Sequence, residues 1–297
     1  MSVIVNTSSG LGHSASIVEA VRERFRSHGI AAEVHTTSRS DDIPALARRA
    51  AQARAGGVVV AAGGDGTVSA VADAVRRAGA VLGVIPLGTL NHFARDMGIP
   101  LEAAEAIRII AAGHRVAVDV GEVNGASFIN NSSLGLYPSI VRGRERQQRR
   151  LRRPKRTAML WAILATLRRA PLLRLQLRLD DGELACVSPF VFIGNNDYVM
   201  EGFSIGTRSS LRDGKLSIYT TQRRTRGGLV RLAFRALLGR LSQAKDFAVN
   251  SAASVRIDSK RRWMLVATDG EVTAMETPLN FRVLPGALSV ILPPKAA

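Results

Sequence analysis

The segment of this chain best suited to chemistry is Ala61-Ala62-Gly63-Gly64-Asp65-Gly66-Thr67. Three glycines in four positions let a backbone approach a ligand closely and adopt positive φ. The segment lies between an apolar, β-branched run, Gly57 to Ala62, and a helical pattern marked by Val68, Val71 and Val75. Open N–H groups at such a helix start favour phosphate. Thr67 can cap the helix or donate to a phosphate oxygen. Asp65 is the odd member. A carboxylate beside a phosphate cradle repels its ligand unless a cation lies between them, which points to Mg2+, or it serves as base for an attacking hydroxyl. The same residues would also make a tight strand–helix turn with a capping aspartate.

Pro86-Leu87-Gly88-Thr89-Leu90-Asn91 follows another strand pattern, and two such loops from neighbouring strands would face one crevice. Asn6-Thr7-Ser8-Ser9-Gly10 follows the first strand and is a phosphate-facing loop or an ordinary turn. Two further carboxylate-bearing segments, Asp213-Gly214 and Asp269-Gly270-Glu271, also read as plain hairpin turns. The five histidines, His13, His28, His35, His92 and His114, show no metal-ligand spacing.

The elements that must position these residues alternate over the first 120 positions. Strands are expected at 3–6, 31–37, 57–62, 81–85 and 116–120. Helices are expected from Ile17 to a Gly29 cap, over Ile43–Ala55, from Val68 to Gly79, and from Pro100 to Gly113. This alternation predicts a doubly wound, mainly parallel sheet, with ligands at the carboxyl ends of its strands. After Phe128 the pattern changes. Leu173, Leu175, Leu177 and Leu179 alternate with polar residues, a half-buried strand. Further strands are expected at 187–194, 215–220, 253–258, 263–268 and 279–284, with Pro285-Gly286 turning into 287–292. The second part is therefore expected to be an antiparallel sandwich or barrel. The domain division is 1–124 and 125–297, the last strand being free to return to the first domain.

Composition narrows the classes. The chain has 297 residues, 46% apolar, with a single cysteine, Cys186. That excludes a disulfide framework and fits a reducing cytosol. No run approaches the roughly 18 apolar residues of a spanning helix, and the first residues lack a secretory pattern. The net charge is +17, of which Arg142–Arg156 carries nine basic residues and one acid, Glu145. Such a surface suits nucleic acid, anionic lipid or a phosphate-rich ligand. Aromatic residues are only 5%, and no base-stacking motif accompanies the basic run, so nucleic acid is not the expected partner.

The order GGDGT, then PLGTLN, then a late DGE resembles the catalytic domain shared by diacylglycerol, sphingosine and ceramide kinases. NTSSG is similar to that family's first loop, and VAVDVGEVNGASFINNSSLG and LRDGKL match further stretches, so the likeness runs over nearly the whole chain. It implies an α/β nucleotide-binding domain, a β-rich lipid-binding domain and an active site between them. ATP would contact Thr7, Ser8, Ser9, Gly10, Thr37, Gly63, Gly64, Asp65, Gly66, Thr67, Val68, Ser69 and Thr89. Glu271 would be the base, with Asp65 and Asp269 as further catalytic carboxylates. Mg2+ would also bind at Asp213 with backbone oxygens of Ser210 and Lys215. Departures from the family pattern are His92 and Ser217 where aspartates are usual, Leu11 for a frequent lysine, and Thr7 for a proline.

The implied reaction is Mg2+-dependent transfer of the ATP γ-phosphate to a lipid hydroxyl, diacylglycerol or a related lipid, by a cytoplasmic, peripherally membrane-associated enzyme. Arg142–Arg156 would meet anionic lipid, and the stretches Thr157–Arg169 and Gly228–Leu241 could dip apolar faces into the interface. Oligomeric state is not indicated. The alternatives are an NAD kinase-like phosphotransferase, which would typically show Asn-Glu at Asn131-Ser132, a nucleic-acid-binding protein using the arginine run, and a family member that binds nucleotide without transferring phosphate.

Overall fold

The computed structural model describes residues 1–7, 14–38, 42–53, 56–135, 138, 172–201, 204–208, 210–221 and 247–294. The chain forms two compact units, Met1–Val120 with Leu284–Ala297, and Gly121–Val283. The stretches Arg142–Arg156, Thr157–Arg169 and Gly228–Leu241 lie outside the described residues.

The first unit runs β1 (Ser2–Asn6), α1 (Ser14–Ser27), β2 (Glu33–Thr37), α2 (Ile43–Gln52), β3 (Val58–Gly63), α3 (Asp65–Ala78), β4 (Val81–Pro86), α4 (His92–Asp96), α5 (Ala103–Ala112) and β5 (Arg115–Val123). Its strands are parallel in the order β2-β1-β3-β4. The end of the chain's last strand joins parallel to β4, pairing Ser289 with Val81 and Val290 with Leu82. Val3, Val5, Val60 and Ala62 share one core with Phe25 of α1 and Ile107 and Ile110 of α5. Their neighbours Ile4, Val59 and Ala61 are equally buried, on the face where α2 and α3 pack. Both sheet faces are covered, and for that reason VVVAAG reads as an unbroken apolar run. The last helix begins at Ala103 rather than Pro100, because the Glu102 carboxylate accepts from Ala104 N (3.0 Å) and Glu105 N (2.8 Å) and caps it.

The second unit is antiparallel β. It contains the end of β5, β6 (Ala126–Phe128), β7 (Asn131–Gly135), β8 (Leu173–Leu179), β9 (Gly182–Ser188), β10 (Phe190–Asn195), β11 (Tyr198–Glu201), β12 (Ser204–Arg208), β13 (Leu216–Thr221), β14 (Phe247–Ala252), β15 (Ser254–Ser259), β16 (Trp263–Thr268), β17 (Glu271–Glu276) and the start of β18 (Leu279–Ile291). One sheet has the order β14-β13-β10-β7-β16-β17. The facing layer pairs β18 with β15, β15 with β8 and β8 with β9. Leu134, Val191, Ile193, Ile218 and Val266 of the first meet Leu175, Leu177, Val255, Ile257 and Phe281 of the second in one dry core, a sandwich.

Two expectations need correction. The run 187–194 is split at Pro189, so that β9 and β10 are separate strands. Pro285-Gly286 does not turn the chain. The strand continues through it for 13 residues, because Asp119 Oδ1 accepts from Gly286 N (2.9 Å) while Gly286 takes φ +60°.

Candidate functional site

In the first unit the carboxyl ends of β1, β2, β3 and β4 converge. Thr7, just past β1, donates to Thr37 O from its N (2.9 Å) and its Oγ1 (3.2 Å). Asn6 Nδ2 donates to Thr67 Oγ1 (3.0 Å) across a buried contact, tying β1 to the first turn of α3. A Cβ on Gly63 would stand 2.5 Å from Thr67 Oγ1, and one on Gly88 would stand 2.5 Å from the Gly64 Cα. The two glycine loops therefore touch backbone to backbone, and Leu87 N donates to Gly63 O (2.9 Å) between them. A Cβ on Gly66, by contrast, would meet nothing within 4 Å.

The first backbone bond of α3 runs from Val68 N to Gly64 O (3.0 Å), and Gly64 brings no side-chain cap. The N–H groups of Asp65, Gly66 and Thr67 precede that bond, beside the open space at Gly66. A helix start of this kind suits an anion, and the space at Gly66 leaves room for one. Asp65 is half-buried and its Oδ1 accepts from Phe93 N (3.3 Å) at the start of α4. Asn91, at φ +49°, closes the second loop by accepting from Gly88 N (3.0 Å) and donating to Gly88 O (2.8 Å). His92 and Thr89 are exposed, and Ser69 is half-buried. Val68 is buried and its N–H is spent in the helix. Ser8, Ser9 and Gly10 lie outside the described residues.

In the second unit Asp269 and Gly270 form the β16–β17 turn, at φ +48° and +92°. Glu271 opens the edge strand β17 and is exposed. Asp269, expected beside it as a further catalytic carboxylate, faces back into the sandwich loop before β7. Its two oxygens accept from Ile129 N (2.8 Å), Asn130 N (2.9 Å) and Asn131 N (3.0 Å). A carboxylate so engaged ties the hairpin to that loop. Sequence reading missed Arg208, which is buried. It donates to Ile129 O (2.7 Å) and Asn130 Oδ1 (2.7 Å) and lies 5.1 Å from the Tyr198 ring centre. No local pattern marks an arginine for burial.

Around the expected metal loop, Asp213 is exposed and its N–H donates to Asn196 Oδ1 (3.1 Å). Lys215 O accepts from Asn196 N (3.0 Å), and Ser210 Oγ accepts from Arg212 N (3.2 Å). Lys215 Nζ pairs with Asp197 Oδ2 at 2.7 Å, and Ser217 Oγ donates to the other Asp197 oxygen. Burial opposes the Asp197 charge, but the Lys215 and Ser217 hydrogen bonds outweigh it and hold the carboxyl below its usual range. The same Asp197 contact raises Lys215. Among the described residues no three His, Cys, Asp or Glu cluster in a metal-binding group. The oxygens at this loop are a carboxylate and backbone carbonyls, a hard donor set of the kind Mg2+ accepts.

Comparison with known proteins assigns the family. Residues 1–123 match the diacylglycerol kinase catalytic domain. Residues 139–292, more than half of the chain, match the YegS C-terminal NAD kinase beta sandwich-like domain. A diacylglycerol kinase of Bacillus subtilis (strain 168) is 27% identical over 99% of this chain and 97% of its own. A diacylglycerol kinase of Staphylococcus carnosus (strain TM300) is 31% identical over 45% of this chain and 44% of its own. A crystal structure of a diacylglycerol kinase from Bacillus anthracis str. Sterne superposes with a TM-score of 0.73 at 21% identity, covering all of this chain and 97% of the other, a likeness of fold. With glycine loops, an acidic hairpin and both domain matches in chain order, this protein belongs to the diacylglycerol kinase family of lipid kinases.

Proposed function

We propose that this chain transfers the γ-phosphate of ATP, with Mg2+, to a lipid hydroxyl, diacylglycerol being the first candidate. The observation that carries the reading is the backbone contact between Gly64 and Gly88 beside the uncapped start of α3. Such a cradle binds phosphate through N–H groups and holds it without side-chain bulk. Thr7 to Gly10, Thr37, Gly63 to Ser69 and Thr89 would surround the nucleotide.

Bound Mg2+ would neutralise charge on the phosphoryl oxygens as the bond to the leaving group loosens. Asp65 fits a metal held by one carboxylate and phosphates, since only one of its oxygens is engaged by Phe93 N. Asp213, with the Ser210 and Lys215 carbonyls, would hold a second ion. Glu271 would accept the lipid hydroxyl proton as the new O–P bond forms, leaving a phosphorylated lipid and ADP. The enzyme would work in the cytoplasm, at an anionic bilayer met by Arg142–Arg156.

The description of the matched C-terminal domain also names NAD kinase, so NAD is the rival acceptor. At Asn131-Ser132, where that class typically carries Asn-Glu, Ser132 Oγ is buried and donates to Ala267 O (2.9 Å). The test incubates purified chain with labelled ATP, Mg2+ and a panel of diacylglycerol, sphingoid base, ceramide, phosphatidylglycerol and polyprenol in mixed micelles, with NAD alongside. Label is expected in a lipid, and in neither Asp65→Ala nor Glu271→Ala. Label in NAD alone overturns the lipid reading. Unchanged transfer by both variants overturns the assigned roles.

A further inference from the structure

The turn between β15 and β16 reads Lys260-Arg261-Arg262-Trp263, and all four residues are exposed, Trp263 at 55%. Arg262 pairs with Glu276 at 3.0 Å across the hairpin. Among the described residues Lys260 and Arg261 form no ion pair. The turn itself is built: Arg261 N donates to Ser259 Oγ (3.2 Å), while Thr277 Oγ1 donates to Arg261 O (2.7 Å) and Thr277 N to Arg262 O (2.9 Å). The sandwich thus spends backbone bonds on holding a large indole in water beside three cations. An exposed tryptophan gains most at a bilayer interface, where its ring is buried and its N–H stays wet. Cations beside it gain from anionic head groups.

The geometry points to this turn as a docking site for an anionic lipid bilayer. The inference rests on the lipid kinase reading and adds a surface that the arginine run does not include. The β16–β17 hairpin relates the turn to the proposed base. Trp263 pairs with Glu276 and Thr268 with Glu271, five residues apart, or about 17 Å. Along β17 no charged residue lies between Glu271 and Glu276, and Thr273 and Ala274 are exposed. This edge strand can therefore lie along the surface with both ends at head-group level.

The chain has two tryptophans, so Trp161→Phe leaves Trp263 as the sole reporter. Full-length protein is titrated with vesicles of phosphatidylglycerol and phosphatidylcholine, and with phosphatidylcholine alone. Trp263 emission is expected to shift to the blue with the anionic vesicles only, and to be quenched by brominated lipid. Lys260→Glu with Arg261→Glu is expected to lower partition by about 25-fold or more, given about fivefold per basic residue lost, and Trp263→Ser to lower it as well. A circular dichroism melt checks that each variant is folded. Unchanged Trp263 emission while the chain pellets with vesicles overturns the proposal, as does parental partition of a folded double variant. A water-soluble, short-chain diacylglycerol separates the two readings. The docking variants should phosphorylate it at the parental rate while failing on vesicles. No transfer by the parent to this or to any lipid of the panel would defeat the kinase reading and leave the Trp263 shift to stand or fall alone.

Discussion

Arg208 and Asp269 grip the same residue from opposite sides: Ile129 gives its N–H to the Asp269 carboxylate (2.8 Å) and its carbonyl to the Arg208 guanidinium (2.7 Å). The clamp extends to Asn130, whose N–H also goes to Asp269 and whose side-chain oxygen takes Arg208 Nη2. Asp269 N in turn donates to Asn131 O (2.9 Å). The hairpin carrying Glu271 is thereby tied to the entry of β7 by charged groups at both polarities.

Removing either half of the clamp leaves polar groups of the loop without their partners. Asp269→Asn is expected to cost about 2 kcal/mol, and Arg208→Met about 2–4 kcal/mol because the guanidinium is buried. Denaturant titration checks both. In the kinase assay Asp269→Asn should lower kcat and leave the KM for ATP within twofold. A variant of parental stability and parental kcat would remove Asp269 from any positioning role.

The glycines of the cradle divide into two kinds. Gly63→Ala and Gly88→Ala place a Cβ 2.5 Å from Thr67 Oγ1 and from the Gly64 Cα. Each should destabilise by about 1–3 kcal/mol, as overpacking does. Gly66→Ala meets no protein atom and replaces glycine inside a helix, so it should melt at or above the parental temperature. Its methyl would enter the space assigned to phosphate, and ATP affinity should fall at least tenfold. Calorimetric melts and nucleotide titration of the three variants decide the matter. Equal ATP affinity for Gly66→Ala and parent would move the phosphate elsewhere.

Much of this site is written locally, and the remainder is not. Gly63, Gly64 and Gly66 stand out because they follow a buried strand and precede a helical period. Asp269-Gly270 is readable as a hairpin because few other pairs accept positive φ twice. What Asp269 binds is another matter. The N–H donors it accepts from lie about 140 residues earlier, and no spacing rule links them. Arg208 looks like a surface cation until the fold supplies carbonyl acceptors and an aromatic face. Pro285-Gly286 reads as a turn on residue type, and only the distant Asp119 carboxylate lets the strand pass through it. Ser217 stands where an aspartate is usual, and the structure brings a carboxylate to it from Asp197.

That relocated carboxylate has a pH signature. The Asp197 carboxyl is held below its usual range, so its contribution is present at neutral pH and is lost as pH falls through the lowered value. Lys215 is raised, so its share persists below the ordinary lysine value and is lost only as pH climbs past the raised one. Asp197→Asn should therefore be less stable than the parent from mildly acidic to mildly alkaline pH, with the gap closing at both extremes. The pair is partly exposed, which limits the gap to about 1 kcal/mol. Melting temperatures across pH check it. A gap that persists undiminished in strong acid would mean that the Asp197 charge is not its source.

His92 offers a direct test of the metal role proposed for Asp65. It opens α4 directly after Asn91, and its neighbour Phe93 gives its N–H to Asp65. Where the family usually places an aspartate, the loop thus carries an exposed imidazole. Asp65 receives an N–H donor from α4 and no second acid from this position. His92→Asp would put a carboxylate beside Asp65 at a helix start, where negative charge is tolerated. A divalent ion gains from the second carboxylate, so half-maximal transfer should need at least threefold less Mg2+. The melting temperature should stay within about 2 °C, since an exposed substitution away from special features changes stability by about 0.5 kcal/mol or less. Magnesium titration of parent and variant at saturating ATP reads the effect. An unchanged Mg2+ requirement would place the ion away from Asp65, and the role proposed for that residue would pass to the Asp213 loop.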